Sequence, residues 1–287
     1  MKRIALVMEG GGMRGAYTAG VLTWLIDHGI TFDNHYGIST GAIYLCAYLL
    51  KNKEDLYEMS TNHIADKKTI GIRPLLREGQ IVGYNYLFDY IIPDVLKMDM
   101  KKLKEITQKE PAKVGLYDLS IDKTIYVPIP EMDDHFQMLK GSVTLPVIGH
   151  KVTVDGKEYL DGGITDMIPI EQAIRDQNEK FLIITTKPKD YVRKPANWFL
   201  TTVMRLAYPK HKQIYEDYKI RHIHYNEQID LIKKQVEEKK AVWLLPSQVM
   251  NVSRLRGDKE DLKKLFQLGY DDAEARKEEI FALLKDE

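Results

Sequence analysis

The chain opens on a continuous apolar run, "IALVM" from Ile4 to Met8, that breaks at Glu9 into three glycines; this predicts a buried strand ending at a glycine turn. The next stretch, "AYTAGVLTWLIDHG", spaces its apolar residues with a helical period and stops at Gly29, so it predicts a helix. "FDNHYGIST" predicts a short strand running into Gly37, and "GAIYLCAYLLKNK" a helix apolar on most sides and hence buried on most of them. Two strand, turn, helix units thus follow one another directly.

From about Lys51 to Lys113 the pattern is one of helices and loops, clearest in "DLYEMSTNHIAD" and "MDMKKLKEITQ". Strands return at "AKVGLYDLS" and "KTIYVPI", and "HFQMLKGSVTLPVI" predicts a helix running into a proline turn. "HKVTVDGKEYLDGG" predicts a hairpin whose two-residue turn is Asp155-Gly156. "IPIEQAIRDQNE" then predicts a helix and "KFLIITTKP" a buried strand. Strands alternating with helices as far as Thr186 indicate an α/β fold with a mostly parallel sheet covered on both faces. The loop "KPKDYVRKPAN" is the expected boundary, giving a domain over residues 1–190 and a mainly helical, highly charged C-terminal extension over 191–287. Within the extension "IRHIHYNE" and "AVWLLPS" are strand candidates.

Composition narrows the classes of function. Hydrophobic residues at 44% and charged residues at 29% support folding rather than disorder. With 42 Lys+Arg against 42 Asp+Glu, no global field draws the chain to nucleic acid or an anionic bilayer, so membrane contact has to be local. The lone Cys46 excludes an intramolecular disulfide and, within "AIYLCAYLL", reads as a buried thiol. Lys2 and Arg3 precede an apolar run too short for a signal peptide, and no stretch approaches the ~20 apolar residues of a membrane span. The cytoplasm is the expected compartment.

Three short motifs carry the candidate chemistry. Gly10, Gly12 and Gly15 satisfy G-x-G-x-x-G between a strand and a helix, with Asp33 18 residues further on, the arrangement of a dinucleotide cradle. "GISTG", Gly37 to Gly41, is a G-x-S-x-G sequence on the second strand-to-helix turn; there Ser39 would stand at a helix N-terminus, where free N–H groups favour developing negative charge. In "YLDGGITDMIPI", Asp161 ends a strand, and Gly162 and Gly163 clear the space beside its carboxylate.

"GGGMRG", "GISTG" and "DGG", in that order, resemble the patatin-like phospholipase family over about Ile4 to Thr186. "KGSVTLPV" resembles the family's small-residue and proline block, with Gly141 and Thr144 in place of its usual alanines; "TDMIP" has Asp166 and Pro169 where the family often has an asparagine ahead of the proline. The resemblance implies a three-layer α/β/α fold and a serine acyl hydrolase of the lipase or phospholipase A type. It implies Ser39 as nucleophile and Asp161 as general base of a Ser-Asp dyad, with Thr40 beside the nucleophile and no metal or cofactor. The loop of Gly10, Gly11, Gly12, Arg14 and Gly15 becomes the oxyanion hole, with N–H groups around Gly11 and Gly12 facing the oxyanion, Arg14 adding charge or holding the loop, and Gly15 permitting close packing. Lipid esters are the implied substrates, through an acyl-enzyme that water activated by Asp161 hydrolyses.

Other classes stay open at this level. A dinucleotide-binding oxidoreductase would use the glycine loop but leave Ser39 and Asp161 unexplained; a lipid-binding module with a weak site would keep the motifs without turnover. His211, His222 and His224 follow Asp161 in the order of a Ser-Asp-His triad, and His222 with His224 would share a face on a strand as a metal pair, although no third ligand accompanies them. "PANWFLTTVMRLAYPK" carries Trp198, Phe199, Val203, Leu206 and Tyr208 beside Arg193, Lys194, Arg205 and Lys210; as a helix it would either pack its apolar face on the catalytic domain or form a lid or a peripheral membrane contact. The closing helices resemble the C-terminal extension of some bacterial patatin-like proteins. Lipid class and oligomeric state are not encoded in any of these motifs.

Overall fold

A computed structural model describes residues 3–285. Its centre is an eight-stranded sheet: β1 (Ile4–Met8), β2 (Asn34–Ile38), β3 (Ala112–Asp118), β4 (Lys123–Pro128), β5 (Val152–Val154), β6 (Lys157–Asp161), β7 (Lys180–Ile184) and β8 (Ala241–Leu244). They lie in the order β5-β6-β3-β2-β1-β7-β8, with β4 also on β3. The pairs β3–β2, β2–β1, β1–β7 and β7–β8 are parallel, and β4, β5 and β6 join antiparallel.

Because β1 is buried on both faces, its alternation sorts the two helical layers. Ile4, Leu6 and Met8 face one core, where the helices Ala16–Asp27, Thr40–Leu49 and Lys259–Ala275 pack; Ala5 and Val7 face another, covered by Ile170–Arg175 and the 26-residue helix Lys212–Glu237. The sheet is therefore the middle of an α/β/α sandwich, as expected. Cys46 is buried, and burial pushes its thiol up to about 12.

"AVWL" does form a strand, and it extends the sheet beside β7. "IRHIHYNE" does not; it lies inside the helix Lys212–Glu237. The wider pattern decides this: Ile214, Tyr218, Arg221, Tyr225, Ile229 and Ile232 are the buried face, spaced three and four apart, and that period overrides the local preference of the aromatic and β-branched residues. On a helix, His222 and His224 point in nearly opposite directions and cannot form a metal pair.

Two glycines join the extension to the first core. A side chain at Gly20 would meet Phe266 O at 1.9 Å and one at Gly269 would meet Tyr17 O at 2.1 Å, so the helices Ala16–Asp27 and Lys259–Ala275 cross backbone to backbone.

Candidate active site

Sheet register brings the serine and the aspartate together. β4 occupies one edge of β3 along Lys113–Asp118, which leaves β2 and β6 to share the other edge end to end. β2 arrives with Ile38 opposite Gly115, and β6 arrives from the other direction with Asp161 opposite Leu116. Ser39, the next residue after β2, and Asp161, the last of β6, therefore meet where the two strands abut. Ser39 Oγ donates to Asp161 Oδ2 at 2.7 Å.

Ser39 has φ 54° and ψ −132°, a backbone conformation that a residue with a Cβ rarely adopts, at the mouth of the helix Thr40–Leu49. The bend is tight: a side chain at Gly37 would meet Gly41 O at 2.8 Å, and one at Gly41 would meet Glu9 O at 2.9 Å. Asp161 is 2% exposed, and its other carboxylate oxygen accepts the Gly163 N–H at 2.7 Å. Burial raises the pKa of this carboxyl, against the opposing pull of the Ser39 and Gly163 hydrogen bonds and of Arg254 and Arg221. A carboxylate so placed can take a proton from the serine hydroxyl more readily than one in water.

The glycine loop follows β1 and turns beside Ser39; a side chain at Gly10 would meet Ser39 Cβ at 2.7 Å. Gly10 N–H donates to Met167 O (3.2 Å), Gly11 N–H to Thr40 Oγ1 (3.1 Å) and Met13 N–H to Arg254 O (3.0 Å). Gly12 N–H has no acceptor among the described residues. Gly12 has φ +58°, and a Cβ there would lie 2.3 Å from Arg254 O, so the loop passes directly beneath a carbonyl of the extension. Gly15 packs on the elbow helix, where a Cβ would meet Tyr44 at 2.5 Å. Gly162 sits against β3, 2.9 Å from the Gly115 carbonyl carbon by the same measure.

Arg14 is half-buried, and its Nε has no partner among the described residues. It lies near Glu9, the charge that interrupts the first apolar run. The Glu9 carboxylate accepts the Thr186 N–H at 2.6 Å and pairs with Lys187; burial opposes its ionisation, and Lys187 and Thr186 hold its pKa below the usual value.

An apolar cavity of about 60 Å³ opens beside Ser39, lined by Ile43, Met59, Val82, Leu87, Val143 and Leu145 among others. Arg254 and Leu255 of the extension close one side of it. The extension also holds the loop after Asp161: Arg221 Nε donates to Gly163 O, Gln228 Nε2 donates to Asp166, and Ile168 N–H donates to Gln228 Oε1 (3.2 Å). Sequence reasoning missed Arg221, Gln228 and Arg254. Their only local signal is that Arg221 and Gln228 fall on the apolar stripe of a helix, where an unpaired polar residue is unusual.

Among the described residues no histidine hydrogen-bonds Ser39 or Asp161. His211 is 3.2 Å from Asp122, and His222 Nδ1 contacts Lys219 O. Asp33 accepts the Ile4 N–H at 2.7 Å, a bond that seats the start of β1, at the opposite end of that strand from the glycine loop. Among the described residues, no three His, Cys, Asp or Glu side chains gather where they could hold a metal.

The molecule is thus an α/β/α protein with a hydrogen-bonded serine and aspartate at abutting strand ends, under a glycine loop. The family profile described as patatin-like phospholipase matches residues 6–174, and the chain belongs to that family. A second profile, a domain of unknown function, DUF6363, matches residues 211–285. The chain is 28% identical over 203 residues to YjjU of Escherichia coli, an uncharacterized protein, covering 69% of this chain and 55% of YjjU. It is 25% identical over 216 residues to the probable lipid hydrolase 463L of invertebrate iridescent virus 6, covering 68% of this chain and 73% of the viral protein. The chain thus spans about half the length of YjjU. The structure also aligns with VipD from Legionella pneumophila over 96% of this chain and 66% of that one, at 11% identity and a TM-score of 0.45.

Proposed function

We propose that the protein is a lipid acyl hydrolase that cleaves carboxylic esters through Ser39 and Asp161. The observation that carries this is the 2.7 Å bond from Ser39 Oγ to a buried carboxylate, on a strained elbow at the mouth of an apolar cavity. Membership in the patatin-like phospholipase family and the likeness to a viral probable lipid hydrolase support the same chemistry.

In this reading Asp161 takes the Ser39 proton as Oγ attacks the ester carbonyl. The tetrahedral oxyanion is received by the Gly12 N–H and by the Thr40 N–H at the first turn of the elbow helix. Collapse expels the alcohol, which takes the proton back from Asp161, and leaves an acyl-Ser39 ester. Asp161 then deprotonates a water that attacks this ester, releasing the fatty acid and restoring the serine hydroxyl. The acyl chain lies along Ile43, Met59 and Leu87.

Two exposed apolar segments flank the loop Leu145–His150 and form the face toward lipid. Ile81 N–H donates to Ile148 O (3.2 Å) from one side, and Val147 N–H donates to Tyr208 Oη (3.3 Å) on the other. The first segment exposes Ile72 and Leu76; the second, the helix Trp198–Ala207, buries Thr201 and Met204 but leaves Trp198 77% exposed, with Phe199 and Leu206 beside it.

The test is labelling by a fluorophosphonate probe together with p-nitrophenol release from a short-chain ester. Wild type is expected to label and turn over. Ser39→Ala should lose labelling entirely, and both Ser39→Ala and Asp161→Asn should lower turnover by about 10³-fold or more while keeping their circular dichroism. Folded wild-type protein that neither labels nor hydrolyses the ester would sink the proposal.

A further inference from the structure

Next to the Asp161 end of the pair lies a second cavity, of about 150 Å³, whose wall holds the charged or polar residues Arg193, Lys194, Tyr218, Arg221, His222 and Arg254, the apolar Ala196 and Leu200, and no acidic residue. Arg254 lines both this cavity and the apolar one that holds Ser39, so the two adjoin. A Cβ at Gly163 would lie 3.0 Å from Asp161 Oδ1 and 3.3 Å from Arg221 Nη2, so carboxylate and guanidinium flank one glycine.

The arginines are held by contacts other than salt bridges. Arg221 is 7% exposed, donates to the Gly163 carbonyl and lies 5.1 Å from the Tyr218 ring. Arg193 stacks on Tyr225 at 4.7 Å, and its Nε is buried without a partner among the described residues. None of Arg14, Arg193, Arg221 and Arg254 has a carboxylate within salt-bridge distance among the described residues. Glu9 is already committed to Lys187 and Thr186, and Asp161 to Ser39 and Gly163. Burial depresses the Arg221 pKa to about 9, with the neighbouring Arg254 and Arg193 adding to the fall and Tyr218 and Asp161 opposing it. The Tyr218 hydroxyl, which burial pushes up, is brought below its ordinary value by Arg221 and Arg254.

A fold retains converging, unneutralised guanidiniums against such a cost where an anion completes them, and planar arginine forks match phosphate oxygens in particular. We infer that the Arg193, Arg221 and Arg254 pocket receives the phosphate of the substrate's head group while the acyl chain occupies the apolar cavity, so that the enzyme selects net-negative phosphate amphiphiles over zwitterionic ones. This rests on Ser39 being the acyl-transfer serine. Selection arises because the wall offers a phosphate three guanidiniums and offers a quaternary ammonium no carboxylate.

Dihexanoyl phosphatidic acid and dihexanoyl phosphatidylcholine, both used as monomers, present the same ester with different head groups and remove any effect of a charged membrane. Wild type is expected to favour the acid by about tenfold or more in kcat/KM, the size of one charge-assisted hydrogen bond, chiefly through KM. In Arg193→Gln/Arg254→Gln the ratio should fall toward one, and Arg193→Lys/Arg254→Lys, which keeps both charges, should retain part of it. A wild-type ratio near one, or a ratio indifferent to the glutamine pair, overturns the inference. Calorimetry on Ser39→Ala protein reads the pocket without turnover, with inorganic phosphate as a third probe. Tighter binding of phosphatidic acid than of either other ligand supports a head-group site even if fluorophosphonate labelling fails, which separates this inference from the hydrolase proposal. Binding of inorganic phosphate as tightly as phosphatidic acid would make the pocket a free-anion site and overturn the head-group reading.

Discussion

On one side of Ser39 stand Ile43, Met59, Val82, Leu87 and Val143, an apolar wall contributed by residues ahead of Val147. On the other side stand Arg193, Arg221 and Arg254, charged and contributed by residues beyond 190. The first wall belongs to the region the patatin-like profile covers, and every residue of chemical interest there sits in a short local motif. The second belongs to the extension, where the three arginines are scattered along a loop, a long helix and another loop. The contrast teaches that the extension is built into the site: it supplies the strand β8, the layer over Ala5 and Val7, the clamp on Gly163 and Asp166, and the carbonyl above Gly12.

The strongest way to break this comparison is to remove one region. A chain ending at residue 190 loses the helix Lys212–Glu237 and exposes the apolar face of Ala5, Val7 and Ile183, so it is expected to lack a cooperative melting transition and to aggregate on gel filtration. A monomeric, fluorophosphonate-reactive truncation would show the extension to be dispensable. Next in size is Gly269→Leu, which drives a side chain into the Tyr17 carbonyl at the helix crossing. Overpacking of about 1–3 kcal/mol or more is expected, lowering the melting temperature by roughly 2–4 °C for each kcal/mol. A melting temperature equal to wild type would mean that the two helices do not meet this closely.

The two walls also meet electrostatically at Asp161. Its folded pKa is raised by burial and pulled back by Arg254 and Arg221, so hydrolysis should fail on the acid side as the carboxylate protonates, at a pH above the ordinary range near 4. Removing a cation disfavours the carboxylate, hence Arg254→Gln should move this acid limb upward. A limb unmoved or moved down would show that the arginine pocket does not act on the base. The smallest effect concerns the exposed helix Trp198–Ala207. Trp24 is fully buried and Trp243 nearly so, so a blue shift of tryptophan emission with vesicles should come from Trp198, and Trp198→Ala should abolish the shift and weaken flotation several-fold. An unchanged shift in that variant would place lipid contact elsewhere.

Much of the fold was legible because its strands and helices are locally consistent. "IALVM" and "KFLII" are continuous apolar runs because parallel strands are covered on both faces, and Asp155-Gly156 forms its hairpin turn with φ of 49° and 77°. The segment around His222 misled because a short window of Ile, His and Tyr favours a strand, whereas the buried stripe that settles the matter spans five helical turns. Ser39 and Asp161 stand out because each lies in a glycine-flanked turn. Arg221 and Arg254 do not, because an arginine that meets its partners across the fold leaves no local pattern.

The sequence by itself determined most of the strands and helices ahead of residue 190, where the glycine turns fall, and that a serine and an aspartate sit at strand ends. Those features depend on interactions within a few residues: apolar periodicity, backbone freedom at glycine, and the termini of single helices. Only the tertiary structure decided that β2 and β6 abut on one edge of β3 and so join residues 122 positions apart, and that Arg254 spans the apolar and charged cavities. Strand register and the convergence of like charges arise from the packing of whole layers, where burial and long-range Coulomb forces act on residues that the chain itself keeps far apart.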